Sequence, residues 1–388
     1  MRRYDLDWLR VFVFVLLIFY HVGMFFVPWE WHLKNNILYS SLEYPMLFIN
    51  QWRLPILFVI SGMGTSYALA KRSGSEFASE RIKRLLLPLV IGILLIVPPQ
   101  VFFERLSGSE FTGSYLDFWP VHAFIGIYPE GNFSWHHLWF LPYLLLFSLI
   151  FTPVFLYFRR NPDNPFLEWL RKQLSTPLGF VWFLLPLLLT QLFLKPYFPE
   201  THALIGDWFT LANYSILFFY GFLLIMIKEA FWKLALKHRR NFLITGLLCF
   251  GSWIFLISEY NEEAWAFYVK ALVKVVNCWS WILALFGYAA RYLNRNSATL
   301  SYANQAVYPF YILHQTVTVC LGFYLKDLPW GFFSKFSFLA VGTFVISWIL
   351  YEFFIRRWNF LRPLFGLKPG SAGNIVFRTS LRTLASKL

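Results

Sequence analysis

An all-α, polytopic membrane protein is what the sequence predicts, on three observations. Of its 388 residues, 58% are hydrophobic and only 14% charged, against roughly 25% charged in soluble chains. Apolar runs of about twenty residues, enough to cross a bilayer as a helix, recur along the chain. Basic residues collect in every second interval between these runs and acidic ones in the others, the bias that orients a membrane chain.

About ten spans follow, at 8–27, 46–69, 85–103, 138–157, 178–195, 209–227, 242–258, 268–289, 306–323 and 331–354. The fifth and ninth are short and open to tilt or breakage. The first has no small-residue cleavage site after it, so it is read as a permanent helix and not as a signal peptide. Arg2 and Arg3 precede it, Lys71, Arg72, Arg81, Lys83 and Arg84 follow the second span, and Arg159 and Arg160 follow the fourth. Lys228, Arg239 and Arg240 follow the sixth, Arg291 and Arg295 the eighth, and Arg356, Arg357 and Arg362 the tenth. The remaining loops carry Glu104, Glu110, Asp117, Glu130, Glu200, Asp207, Glu259, Glu262, Glu263 and Asp327. An even number of spans then places both termini in the cytoplasm. The organisation is a single integral-membrane domain over 1–388, with a core at 8–355 and a short basic tail at 356–388.

The net charge of +14 is largely this topological signal, with attraction to anionic membrane lipids added. Its dispersal over separate cytoplasmic stretches argues against a nucleic-acid partner. Cys249, Cys278 and Cys320 lie in apolar segments with no metal-ligand or disulfide spacing, and no metal site is expected.

Chemistry enters with the first span, which contains Arg10 and His21. Eleven helical steps bring them within roughly 20° of one face and about 16 Å apart along the axis. A fixed cation near the cytoplasmic surface and a titratable base deeper in the bilayer are then expected to line one conduit. Ionisable groups in hydrocarbon are expensive and point to function; the bland reading is a histidine bonded to a backbone carbonyl. Asp7, three residues before Arg10, shares its face and pairs with it.

Other polar groups sit inside or at the rims of spans. Arg53 opens the second span from the outer side with Asn50 and Gln51, and Ser61-Gly62-Met63-Gly64 breaks its apolar run. Those small residues suit either close helix packing or a ligand near the backbone. Arg81 and Arg84 share a helix face at the cytoplasmic mouth, where paired guanidiniums suit phosphates and topogenic arginines look the same. His136 and His137 open the fourth span just before Trp139; adjacent residues on a helix diverge by about 100°, so the two histidines are poor joint metal ligands. His314 lies in the ninth span and Glu352 near the cytoplasmic end of the tenth. The outer loops are rich in Trp, Tyr and Phe, which suits sugar rings and equally an interfacial aromatic belt.

Together these residues carry a resemblance. Leu6-Asp7-Trp8-Leu9-Arg10 with His21 eleven residues on resembles the signature of the acyltransferase family 3 membrane proteins. Phe58-Val59-Ile60-Ser61-Gly62, Arg81-Ile82-Lys83-Arg84-Leu85, His137-Leu138-Trp139-Phe140-Leu141, Tyr311-Ile312-Leu313-His314 and Glu352 are similar to further family segments. The His-Leu-Trp-Phe-Leu run is most similar to the branch that succinylates periplasmic glucans, although acetyltransferases share it. One departure is the insertion of Ala303-Asn304-Gln305-Ala306-Val307 between Ser301-Tyr302 and Tyr308-Pro309.

The resemblance implies an enzyme of the bacterial cytoplasmic (inner) membrane that moves an acetyl or succinyl group from cytoplasmic acyl-CoA to a hydroxyl of an envelope glycan. Acetyl-CoA or succinyl-CoA would be a co-substrate, with no tightly bound cofactor. His21 would be the base, supported by Arg10 and Asp7, with a relay through a transient acyl-histidine left open beside direct transfer. Arg10, Arg81, Arg84 and Ser61 would engage acyl-CoA, and Arg53, His137, Trp139, His314 and Glu352 the acceptor. Two other readings stay open. A secondary transporter of a glycan or anionic metabolite also buries Arg and His, with internal repeats that the two halves do not convincingly display. A membrane scaffold would need neither group.

Overall fold

The computed structural model describes residues 3–176 and 178–370, and every structural statement below concerns these. Arg2 and residues 371–388 of the expected basic tail lie outside the described residues. Nine helices among them are long and apolar enough to span a membrane. In chain order, with one shorter apolar helix included, the elements are α1 (Tyr4–Met24), α2 (Ser40–Leu69), α3 (Gly74–Ser107), α4 (His136–Arg160), α5 (Gly179–Leu194), α6 (Trp208–Met226), α7 (Lys228–Tyr260), α8 (Ala264–Tyr292), α9 (Ala298–Leu325) and α10 (Phe332–Ile355). Among the described residues the only β pairing is an isolated bridge between Ile127 and Phe133.

The two short spans diverge. The fifth, α5, is a broken segment: a 3-10 turn at Gly179–Phe183, a short α-helix at Leu184–Leu189 and a π turn at Thr190–Leu194. The ninth is not short at all. α9 runs unbroken through Pro309 for 28 residues, started by Ser297, whose side chain accepts from the Leu300 N–H at 3.0 Å. Ser301, Asn304 and Gln305 lower the hydropathy of its first turns without breaking the helix, which is why the apolar run begins late.

α1 packs against α2, α8, α9 and α10. α7 is peripheral, pairing chiefly with α8; Ile244, Leu247, Leu248 and Phe255 on it are each more than half exposed, as suits a face turned to lipid. α2 and α6 approach closely through two glycines. A Cβ on Gly62 would lie 1.9 Å from the Phe218 carbonyl oxygen, and one on Gly221 would lie 2.0 Å from that of Val59. Gly62 therefore serves helix packing, in the small-residue seam that membrane helices use in place of a hydrophobic driving force, whereas a Cβ on Gly64 would lie 3.8 Å from the Arg10 guanidinium.

Loops assigned to one side by their charge meet loops of the same side. At the basic end, Trp8 Nε1 donates to the Arg295 carbonyl at 3.2 Å, Arg159 to that of Ala70 at 2.7 Å, and the Tyr308 hydroxyl to that of Arg84 at 2.9 Å. At the acid end, Trp135 Nε1 donates to the His202 carbonyl at 3.0 Å, Lys326 Nζ to Ser107 Oγ at 2.7 Å and the buried Lys335 Nζ to Asn35 Oδ1 at 2.8 Å. Lys34 Nζ donates to the carbonyls of Met24 and Val27 at 2.6 and 2.8 Å, satisfying acceptors left open at the end of α1.

Candidate active site

A cavity of about 720 Å³ opens at the acid end of the bundle. Tyr20 and His21 from α1, Arg53 from α2 and His137 and Trp139 from α4 line it, and Trp31 and Trp135 from the acid-end loops help wall it. Four of the residues singled out from sequence are thus brought together: His21, Arg53, His137 and Trp139.

His21 is held by His314. Its Nδ1 lies 2.7 Å from Nε2 of His314, and Nδ1 of His314 lies 2.8 Å from the Tyr311 carbonyl oxygen. A carbonyl only accepts, so the proton of a neutral His314 sits on Nδ1 and its Nε2 is an acceptor. His21 then donates from Nδ1 and carries its lone pair on Nε2; these tautomers are assigned from the hydrogen-bond network. His314 is fully buried. It was expected among acceptor contacts, but it is brought to His21 instead.

The same logic orients His137. Its Nε2 faces the Ile312 carbonyl at 3.0 Å, so that nitrogen donates, and Nδ1 faces Gln100 Nε2 at 3.4 Å. Gln100 also donates to Thr316 Oγ1 at 2.7 Å and accepts from Gln315 at 3.0 Å. The Tyr311 hydroxyl donates to the His137 carbonyl at 2.6 Å. α3, α4 and α9 are thereby tied into one polar layer beside the histidine pair.

Arg53 is 3% exposed, with its guanidinium 3.6 Å above the Tyr20 ring. Its Nε and Nη1 have no hydrogen-bond partner among the described residues. A turn at Gln51–Trp52 divides α2, and Arg53 begins the segment Arg53–Leu69. A buried cation at a helix N-terminus adds to the positive end of the dipole, and an unpaired buried charge is destabilising by several kcal/mol. The arrangement suits an anionic group in the cavity.

His202 stacks on Trp139 with ring centroids 4.0 Å apart. Burial pushes its pKa below the usual histidine value, so it is neutral at pH 7.

Toward the basic end the cavity gives way to a space of about 40 Å³ touched by His21, Phe14, Leu17 and Tyr311. Arg10, Arg81 and Arg84 line neither cavity. The continuous conduit expected from Arg10 to His21 is closed here by Phe14 and Leu17, one and two turns past Arg10; Phe14 meets Tyr311 edge-on at 5.5 Å. Arg10 approaches Asp7 at 3.7 Å, as expected, and donates to Asn304 at 3.3 Å. Arg84 lies 3.8 Å from Glu80, one turn earlier on α3.

Ser61 and Glu352 line neither cavity. Ser61 gives its carbonyl to Thr65 Oγ1 at 3.0 Å beside the α2–α6 seam. Glu352 accepts from the Tyr302 hydroxyl at 2.9 Å and from Arg356 at 2.8 Å, at the basic end, so it does not join the acceptor-side cavity.

Sequence reasoning passed over Gln100 and His202. Gln100 was detectable as an amide inside an apolar run; His202 carried no signal. Also unforeseen is the meeting of His32, Glu104 and His136, since sequence spacing suggested no metal-ligand set. His136 and His137 diverge, one toward His32 and the other toward Ile312, with His136 in a left-handed backbone conformation outside helical geometry.

Comparison with known proteins places the chain in a family. The family described as an acyltransferase domain matches residues 3–352. Glucans biosynthesis protein C of Escherichia coli (strain K12) is 24% identical over 382 residues, covering 95% of each chain. The protein of the same name from Salmonella paratyphi A (strain ATCC 9150 / SARB42) is 24% identical over 380 residues, again 95% of each. No solved structure matches the chain. With nine membrane-length helices and a match over nearly its whole length, the chain belongs to acyltransferase family 3 and is a multi-pass membrane acyltransferase.

Proposed function

We propose that this protein transfers an acetyl or succinyl group from cytoplasmic acyl-CoA to a hydroxyl of an envelope glycan across the bacterial inner membrane, with His21 as general base. The observation that carries this reading is the chain His21–His314–Tyr311 carbonyl, with 2.7 and 2.8 Å links. It supports a neutral His21 whose Nε2 lone pair belongs to a ring lining the cavity. That nitrogen takes the proton of the acceptor hydroxyl as its oxygen attacks the thioester carbonyl. The C–O bond forms, the C–S bond breaks, and the imidazolium returns the proton to the departing thiolate. Imidazole is suited to both steps at neutral pH.

Arg53 suits the negative charge that develops on the carbonyl oxygen, or a free carboxylate on a succinyl group, because its Nε and Nη1 are buried and unpartnered among the described residues. The cavity's aromatic walls fit sugar faces, and a glucan is the acceptor class in keeping with relatives named for glucans biosynthesis. Arg10, Arg81 and Arg84 would engage the phosphates of the donor at the basic end.

The test is acyl transfer from radiolabelled acetyl-CoA and succinyl-CoA to glucan, in vesicles holding equal amounts of wild-type and His21→Ala protein. Removal of a general base lowers turnover by about 10²–10⁴-fold. Equal turnover in the two preparations would eliminate His21 as the base.

A further inference from the structure

At the rim of the cavity three side chains from distant segments converge. His32 follows α1, Glu104 ends α3 and His136 begins α4. Each offers one ligand atom, and those atoms lie within 4.8 Å of one another. His32 Nδ1 is 2.9 Å from Glu104 Oε2, and the imidazoles of His32 and His136 stack with centroids 4.1 Å apart.

We infer that His32, Glu104 and His136 form a binding site for a zinc-like divalent metal ion, a site separate from the histidine pair and independent of the acyltransferase reading. Three features support it beyond proximity. His136 Nε2 is buried yet has no hydrogen-bond partner among the described residues, and an orphaned buried polar atom calls for a ligand. The other carboxylate oxygen of Glu104 accepts from the Tyr128 hydroxyl at 2.9 Å, the outer hydrogen bond that orients a ligating carboxylate. His136 also has a φ of 39°, a left-handed backbone uncommon outside glycine, which aims its ring back at His32.

The donor set selects the ion. Two imidazoles and one carboxylate match sites that bind zinc with three protein ligands and keep a fourth position open. Calcium and magnesium prefer all-oxygen shells. Tetrahedral zinc, with bonds of about 2.0–2.1 Å, places its ligand atoms about 3.4 Å apart, so shifts of about an ångström would close this set. His32 and His136 both line the large cavity, so the open position faces it and can take a hydroxyl or carboxylate from an occupant.

The experiment is equilibrium dialysis of the purified full chain in detergent against Zn²⁺, followed by elemental analysis, with Co²⁺ as a visible-absorbing probe. Wild type should retain about one equivalent, and the cobalt form should show the intense bands of a tetrahedral site. His32→Ala and His136→Asn (asparagine tolerates the positive φ) should lower affinity at least tenfold, with unfolding temperatures of the metal-free proteins unchanged. Where a variant fails to fold, Glu104→Gln provides the same comparison. His21→Ala should bind metal like wild type, so loss of the base and loss of the metal site are read separately. Retention of under a tenth of an equivalent, meaning a hydrogen-bonded cluster only, would overturn the inference. So would equal binding by wild type and the cluster variants, meaning adventitious surface metal.

Discussion

At the acid end the bundle encloses about 720 Å³ beside His21, whereas toward the basic end the space shrinks to about 40 Å³ floored by Phe14, Leu17 and Tyr311. The charges differ in the same sense. Arg53 at the hollow end is buried with two donor nitrogens unpartnered among the described residues. Arg84 and Arg10 at the packed end stand near Glu80 and Asp7, at 3.8 and 3.7 Å. Close-packed side chains leave no passage until they move. The hollow end therefore has room for a bulky group in this conformation, while a slender chain can pass the packed end only by parting Phe14 from Tyr311.

The largest effect that sharpens this contrast is expected at His314. His314→Phe removes the acceptor for His21 Nδ1–H, and kcat should fall about 100-fold, within the range of general-base losses, with the acceptor KM little changed. His314→Gln, which restores a side-chain acceptor, should recover part of that loss. Unaltered kcat in His314→Phe would mean that the pair is structural.

Next in size is the closed passage. Phe14→Trp should cut kcat/KM for the acyl donor by about 10–30-fold, a loss of about 1.4–2 kcal/mol, and leave acceptor affinity intact. A matching loss of acceptor affinity would erase the distinction between the two ends. Arg81→Ala combined with Arg84→Ala should raise the donor KM about tenfold, near 1.4 kcal/mol. The difference should narrow at high salt as exposed charges are screened; a salt-independent KM would count against phosphate contacts.

The smallest functional effect is expected where both ends share one seam. Gly221→Ala forces a methyl group against the Val59 carbonyl and should destabilise the fold by about 1–3 kcal/mol, seen as a lower unfolding temperature in detergent. Donor and acceptor KM should stay in proportion. A selective change at one end would show that the α2–α6 seam sets the passage.

Much of this architecture was legible from local pattern. Apolar runs located the helices because lipid demands them, and the face shared by Arg10 and His21 follows from helical geometry alone. What stayed hidden depends on how distant segments meet. His314 could be recognised as an intramembrane base, but not as the partner of His21, because 293 positions separate them. His32 comes from a loop and Glu104 and His136 from the ends of two helices, and no spacing rule joins them. Glu352 lies at the basic end, where its place in the tenth span put it, beside Tyr302 and Arg356 and away from the acceptor role that its family motif implied. The breakage of α5 was anticipated from its length, while the long α9 was obscured by polar residues that helices tolerate well.

A backbone irregularity in α3 has consequences for the whole polar layer. Pro98 and Pro99 follow a π turn at Gly92–Ile96; the missing Pro98 N–H leaves the Leu94 carbonyl without its ordinary helical donor, and the Gln100 N–H turns to the Val97 carbonyl at 2.8 Å, which frees that of Ile96. Trp119 Nε1 takes the Leu94 oxygen at 2.8 Å, and Thr316 Oγ1 takes that of Ile96 at 2.6 Å. Thr316 in turn receives Gln100, which reaches His137. Two imino acids that need never touch a ligand thus act as a jig for the imidazole beside it. Replacing them to regularise the helix would strengthen α3 as a rod and dismantle the alignment built on its flaw.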